Sequence, residues 1–268
     1  MTLARVDSGP RVPVAPPIEH GNTGLRAGSG YARAAGARLS GQLSQDGWAR
    51  RTAAEMKALL GICDSEWRGF ADGWQDMPID AYMADGGRYR RRRHGVFEVG
   101  AHSIAAIPGR PHYQSRDHNK LNGGINRWFA PLSQEVAGGT ILARILECCR
   151  EIYAPLAPAE NGWRAEVHQF RIVAKGGDAG LPTPEGRHRD GVVAGLAMLV
   201  ARKGVDGGVT RLWTPDGGHL ASFTMMEPGE ALFFDDHRLL HEVTPLSVAA
   251  NASDGHRDVL VVTFAPLN

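Results

Sequence analysis

The segment Pro182-Thr183-Pro184-Glu185-Gly186-Arg187-His188-Arg189-Asp190-Gly191 puts an imidazole and a carboxylate two positions apart. On extended backbone such a pair points to one side, so His188 and Asp190 can grip one metal ion together. Further along, Asp235-Asp236-His237-Arg238-Leu239-Leu240-His241 offers another imidazole, and a sheet that folds back can carry His241 beside the first pair. Two imidazoles and one carboxylate on one face of a metal leave its other positions open, an arrangement suited to Fe(II) and dioxygen. The same side chains can hold Zn²⁺ and activate water for hydrolysis. A lone His-x-Asp triplet arises readily by chance in a chain with 11 His, so the surroundings decide its weight. His237 competes with His241, but the apolar residues before His241 and the strand-like Glu242-Val243-Thr244 after it favour His241. His168 reads as a packed strand residue and His256 as a loop residue, while His219 belongs to no constellation.

Downstream, Arg257 opens the apolar run Asp258-Val259-Leu260-Val261-Val262-Thr263-Phe264. An Arg at the mouth of a β core presents a planar, permanently charged fork that suits the far carboxylate of a dicarboxylate. Alone it reads as a surface salt bridge with Asp254 or Asp258. Following His188, Asp190 and His241, it reads as an anion anchor.

A scaffold must position these residues, and the hydrophobic pattern supplies one. Residues 1–40 are rich in Pro, Gly, Ala and Arg with no sustained period, which predicts a flexible N-terminal arm ahead of a single domain over residues 41–268. The stretch from Trp48 to Trp74 reads as helical, with Ala53, Met56, Leu59 and Leu60 on one face, and a short helix is expected from Asp64 to Phe70. Between Pro78 and Phe129, turn signals surround short strand candidates. The run Arg90-Arg91-Arg92-Arg93 there reads as a solvated edge, because no aromatic residues interleave it. Ser133 is expected to cap one long helix through Ile141, Leu142, Ile145, Leu146, Cys149 and Ile152 that ends near Pro155. Beyond it the period changes to two in short runs separated by Gly, Pro and Asp. Helices first and strands later predict an α+β fold, with helices buttressing an antiparallel sandwich or small barrel.

Composition narrows the function. Lys plus Arg number 30 against 29 Asp plus Glu, a net charge of +1, too small a field to attract nucleic acid or an anionic membrane. No run approaches the roughly 18 apolar residues of a membrane span, and the first residues lack an apolar signal core, which predicts a cytoplasmic protein. Cys63, Cys148 and Cys149 lack zinc-site or disulfide spacing and read as reduced, buried helix residues. Gly123-Gly124 and Gly207-Gly208 lack phosphate-loop context and read as turns, and no nucleophile-elbow GxSxG occurs.

In Glu166 to Val173, alternation sets Gln169 and Arg171 on one face and His168 and Phe170 on the other. A cation facing a closed β core is costly unless it meets an anion, which makes Arg171 the first candidate for a substrate carboxylate. The alternative is a buried pair with an acid such as Glu185.

The runs HQFRI, PTPEGRHRDG, DDHRLLHEVTP and RDVLVVTF, in this order, resemble the bacterial 2-oxoglutarate/Fe(II) dioxygenases that hydroxylate free amino acids, similar to isoleucine and pipecolic acid hydroxylases. The resemblance covers roughly residues 80–266. It implies a double-stranded β-helix, or jelly roll, and use of Fe(II), 2-oxoglutarate and O₂, with ascorbate supportive. It also implies that His188, Asp190 and His241 are iron ligands and that Arg257 meets the C5 carboxylate of 2-oxoglutarate. Tyr113, Asn119 and Arg127 resemble the polar part of the family's substrate lid, and with Arg171, Gln169 and Glu185 they are the candidate contacts of a small amino acid substrate. A zinc hydrolase and a non-catalytic jelly-roll binding module remain as alternatives.

Overall fold

The computed structural model describes residues 29–267. Helix α1 (Ser29–Asp46) leads into strand β1 (Trp48–Arg51), then α2 (Ala53–Leu60) and α3 (Asp64–Asp72). Thr52 and Glu55 form a reciprocal cap that starts α2. The Thr52 hydroxyl accepts from the Glu55 N–H at 3.3 Å, and the Glu55 carboxylate accepts from the Thr52 N–H at 2.8 Å, satisfying two otherwise orphaned donors. Its buried face is Ala53, Met56, Leu59 and Leu60, as the spacing predicts. Trp48 is not helical: β1 lies along another strand of the large sheet, and such pairing overrides a local helical period.

The predicted flexible arm over residues 1–40 needs correction at its C-terminal end, because Ser29–Asp46 are helical and Leu39 and Leu43 are fully buried in the main core. The two leucines sit one turn apart in an otherwise small and polar helix, too sparse to register as a period. The rest of that arm, residues 1–28, lies outside the described residues. Leu39→Ala is expected to lower unfolding free energy by about 2–5 kcal/mol, the usual range for emptying a packed Leu site. Urea unfolding followed by circular dichroism would read it, and an unchanged midpoint would show that α1 does not support the core.

Strands β2 (Arg90–Val99), β3 (Ile104–Ala106) and β4 (Ala130–Pro131) come next, then α4 (Gln134–Ala137) and α5 (Thr140–Tyr153). The single long helix expected from Ser133 is therefore two, interrupted at Gly138 and Gly139, and Ser133 makes no side-chain cap bond. Cys148 and Cys149 are buried in α5, whereas Cys63 is exposed ahead of α3.

The remaining strands are β5 (Trp163–Lys175), β6 (Ala194–Lys203), β7 (Val205–Gly207), β8 (Val209–Trp213), β9 (His219–Thr224), β10 (Ala231–Asp235), β11 (Leu240–Val243), β12 (Leu246–Val248) and β13 (Asp254–Pro266). Every period-two run in the sequence falls on one of them. The large sheet has the order β1-β10-β6-β13-β5-β2-β3, with β4 beside β2, and the order β11-β8-β9 makes a smaller sheet. This is a jelly-roll core with helices on one side. On β13, Leu260, Val262 and Phe264 pack into the helical core, while Arg257, Val259, Val261 and Thr263 line a cavity on the opposite face, as a period of two requires.

Candidate active site

A cavity of about 460 Å³ is walled by the inner face of the large sheet, by β8 and β11, and by the loop from His112 to Asn119. His188 precedes β6 on a loop, and His241 lies on β11. Their backbones form a two-way bridge, His188 N–H to the His241 carbonyl at 3.1 Å and the reverse at 3.0 Å. The bridge holds the two rings 4.4 Å apart, centroid to centroid. Asp190 meets both, with Oδ1 3.5 Å from His188 Nε2 and Oδ2 3.9 Å from His241 Nε2. Ligand atoms of all three lie within 4.8 Å of one another. The structure therefore brings together the three side chains that the sequence singled out.

The donors fit a divalent metal. His188 Nδ1 bonds to the Gly186 carbonyl at 2.9 Å, which fixes the ring and turns Nε2 toward Asp190 and His241, a common orienting device for metal-binding imidazoles. Burial opposes charge on His188, yet Asp190, Glu185 and the Gly186 carbonyl outweigh it and raise its pKa to about 9. Burial likewise opposes charge on Asp190, but its imidazole neighbours hold it well below the usual carboxylate range. Without a metal, His188 therefore holds a proton, and a bound divalent cation would displace it and sit in the same carboxylate field. Burial and the neighbouring His188 push His241 down to about 4, keeping it neutral, as a ligand must be. His241 Nδ1 is buried without a partner.

Asp236, the residue before His237, was not recognised as functional from the sequence. Its carboxylate accepts from the backbone N–H groups of Asp190 at 2.9 Å, Gly191 at 2.7 Å and Val192 at 3.1 Å, shaping the loop that carries Asp190. Burial first, and then the charge of Asp190, raise its pKa to about 6 despite those bonds. An Asn there replaces one of the two acceptor oxygens with an NH₂ group, which then faces one or two of these N–H donors. Asp236→Asn is expected to cut metal affinity roughly 10- to 100-fold, the range for outer-shell partners, in an anaerobic Fe(II) titration. Wild-type affinity would refute that positioning role. Gly191 adjoins this turn at φ +81°, and any side chain on it would meet His118.

His237 is the poorer ligand candidate. Its side chain is 67% exposed and faces Asp235 at 3.9 Å. His237→Ala is expected to keep turnover within about threefold of wild type, as for most exposed substitutions, whereas His241→Ala abolishes it. The reverse pattern in a coupled assay would reassign the ligand.

Arg257 is not the surface salt bridge that its neighbours suggested. It is buried on β13 and lines the cavity, and its Nε has no partner. Asp258 is instead bound by both arms of Arg171, at 2.7 Å each. Burial, and then Arg202, lower the Arg257 pKa to about 10, leaving it charged at neutral pH. Thr210 Oγ1, also on the cavity wall, is buried without a partner. An orphaned buried cation and hydroxyl in one cavity fit a ligand carboxylate.

The proposed substrate contacts divide. Arg171 and Gln169 share a face as predicted, but it is the helix-facing side of β5. Arg171 is consumed by Asp258. Gln169 donates to the Gly73 carbonyl at 2.8 Å and accepts from the Ser133 N–H at 3.0 Å, tying α3 and α4 to β5. Neither lines the cavity. Glu185, Asn119, Arg127 and Tyr113 do. His168 and Phe170, on the other face of β5, also line it, as do Arg90 and Arg92. The arginine run is therefore no solvated edge. Strand β2 is an inner strand, so alternate arginines turn into the cavity and Arg91 and Arg93 turn away to backbone carbonyls. The aromatic partners of Arg92 are Phe129 and Phe170, with the guanidinium 4.1 and 4.7 Å from the ring centroids, and they are too distant in sequence to show as interleaving.

A family model described as 2OG-Fe dioxygenase matches residues 71–263, well over half of the chain. The chain belongs to that family. A bsmA homolog from Methylobium petroleophilum PM1, known from its crystal structure, is 35% identical to this dioxygenase over 86% of this chain and 93% of its own, with a TM-score of 0.80. Two more distant structures share the fold. IDO from Bacillus thuringiensis is 17% identical, covering 87% of this chain and 100% of its own, with a TM-score of 0.72. The Fe(II)/(alpha)ketoglutarate-dependent dioxygenase TqaL is 15% identical, covering 90% of each chain, with a TM-score of 0.71. No curated protein matches this sequence. Membership brings use of Fe(II), 2-oxoglutarate and O₂. No helix among the described residues is long and apolar enough to cross a membrane.

Proposed function

We propose that this dioxygenase hydroxylates an unactivated C–H bond of a free amino acid, with His188, Asp190 and His241 holding Fe(II) and Arg257 holding the C5 carboxylate of 2-oxoglutarate. The observation that carries this reading is the convergence of the three donors and an unpaired, buried Arg257 on one small cavity. Its size suits a co-substrate and a small molecule.

Fe(II) bound there would supply the redox chemistry by which O₂ oxidises 2-oxoglutarate to succinate and CO₂ and transfers one oxygen atom to the substrate carbon. The chain supplies geometry. Arg257 fixes the far end of 2-oxoglutarate, which leaves its 2-oxo and C1 groups at the triad end. Asp236 holds the Asp190 loop in shape through three backbone bonds. Gln114 bonds to the Asp190 carbonyl at 3.1 Å, so the loop over the cavity is tied to the metal-binding turn and helps to exclude water. Such constraints select the reacting carbon, and small displacements redirect or stop the reaction.

The test is succinate formation in air and anaerobically, with and without Fe(II), across free and cyclic amino acids, with ascorbate present. Expected is iron- and O₂-dependent succinate matched by a product heavier by one oxygen. Hydrolysis products independent of O₂ would establish the zinc alternative instead.

A further inference from the structure

The inner face of the large sheet can be followed row by row from its register. Arg257 pairs with Ile172 of β5, which pairs with Arg90 of β2. The next cavity-facing row is Val259, Phe170 and Arg92, then Val261, His168 and His94. Arg92 thus stands two strand spacings across and one row along from Arg257, ~12 Å between backbones, on the far side of β5. Arg90 is neutralised by Asp80 at 2.8 Å. Arg92 and Arg127 are not: both are buried, each has an Nε without a partner, and no carboxylate lies within ion-pair distance of either among the described residues. Both guanidinium groups lie near the Phe129 ring, at 4.1 and 5.9 Å from its centroid. Two adjacent buried cations without a counter-ion define an anion subsite, separate from the Arg257 end.

His168 extends it. Its Nδ1 lies 3.0 Å from an Arg92 nitrogen. A guanidinium only donates, so Nδ1 must accept and the proton of the neutral ring sits on Nε2. Burial and the neighbouring Arg92 hold that ring neutral, which makes it a further N–H donor. Ligand atoms of His94, His112, Glu166 and His168 lie close enough to suggest a second metal. However, His94 Nε2 and His112 Nδ1 are committed to the Glu166 carboxylate at 3.1 and 2.7 Å, and Arg92 and Arg127 beside them, whose bonds go to His168 and Gln114 and not to a counter-ion, repel a cation. An acid is nevertheless available: Glu185 Oε2 is buried in the same cavity without a partner. Its other oxygen, Oε1, lies 3.6 Å from His188 Nε2, and its charge also acts on Arg127, so Glu185 borders the triad and leaves Oε2 free toward the anion subsite.

We propose that Arg92 and Arg127, with the Nε2–H of His168, hold the carboxylate of the primary substrate, and that Glu185 takes its ammonium group, so that an α-amino acid binds as a zwitterion beside 2-oxoglutarate. This rests on the dioxygenase reading above and names how its substrate is recognised.

The experiment is anaerobic calorimetric titration of the enzyme loaded with Fe(II) and 2-oxoglutarate. The titrants are the proteinogenic and cyclic L-amino acids, their carboxamides, and the matching 2-hydroxy acids. For the tightest amino acid, the carboxamide is expected to bind roughly 30-fold more weakly or worse, as for a buried charge stripped of its partner. Arg92→Met and Arg127→Met should weaken the amino acid and its hydroxy acid alike by a similar factor, while 2-oxoglutarate affinity stays within about threefold. Glu185→Gln should weaken the amino acid and spare the hydroxy acid. Arg92→Lys, which restores charge without the fork, should recover part of the loss, and it carries the test alongside Arg127→Met if Arg92→Met fails to fold. Equal binding of acid and carboxamide, unchanged affinity in the arginine variants, no amino acid bound to an enzyme that does bind 2-oxoglutarate, or two metal ions per chain by elemental analysis would each overturn the proposal. Failure of the wild type to bind 2-oxoglutarate would instead overturn the function on which it rests.

Discussion

Asp190→Ala is expected to reduce hydroxylation by more than 100-fold in a protein that still folds. Outer-shell partners of a metal typically contribute about 10- to 100-fold in affinity, and Asp190 stands closer than that: it is the one carboxylate among the three converging donors. Its loss removes the negative charge that, in the proposed site, would hold a cation between His188 and His241. The loop need not collapse, because Asp236 grips the backbone N–H groups of residues 190, 191 and 192, and these survive the substitution. Removing the Asp190 charge also relieves one cause of the raised Asp236 pKa. His188→Ala and His241→Ala are expected to be comparably inactive, since groups acting as a unit fail together. The measurements are Fe(II) affinity, succinate and hydroxylated product under saturating Fe(II) and 2-oxoglutarate, with circular dichroism as the folding control. A folded Asp190→Ala enzyme with near-normal coupled turnover would show that the metal lies elsewhere.

What sequence could show here was set by how local each signal is. His188 and Asp190 lie on one short loop, and the strand-like run around His241 and the apolar run after Arg257 carry their own period. The fold class was legible for the same reason: period-two runs after a helical region demand a sheet with buttressing helices. Period, however, gives which residues share a face and not which face turns inward. Gln169 and Arg171 were correctly grouped and set on the wrong side of β5. Their partners, Gly73, Ser133 and Asp258, are remote in sequence, so nothing local revealed that both were already satisfied. The arginine run failed differently. Four like charges in succession look solvated, and only the remote segments that flank the run, β5 on one edge and residues 78–80 with β4 on the other, show that its alternate members are buried. Asp236 was hidden because its ligands are backbone N–H groups, which leave no trace in residue type.

Arg257→Ala is expected to raise the KM for 2-oxoglutarate by roughly 30-fold to several thousand-fold, corresponding to about 2–5 kcal/mol for truncating one side of a buried charged pair. Fe(II) affinity should change by no more than a few-fold, because the triad and Asp236 stand on other elements. A merely structural Arg257 predicts a different pattern. If its charge served the fold, a carboxylate would be bonded to it, but Asp258 is claimed by both arms of Arg171, and the repulsion of Arg202 outweighs the attraction of Asp258. A buried cation in that position costs stability until a ligand anion arrives. Without 2-oxoglutarate, the variant should therefore melt at or above the wild-type temperature. The wild type alone should then gain from added 2-oxoglutarate, by about 2.7 kcal/mol at a hundred times its Kd. Thermal melts with and without 2-oxoglutarate, together with KM, separate the two cases. A variant that is destabilised on its own yet keeps its 2-oxoglutarate KM would make Arg257 a structural residue and leave the C5 carboxylate without its anchor.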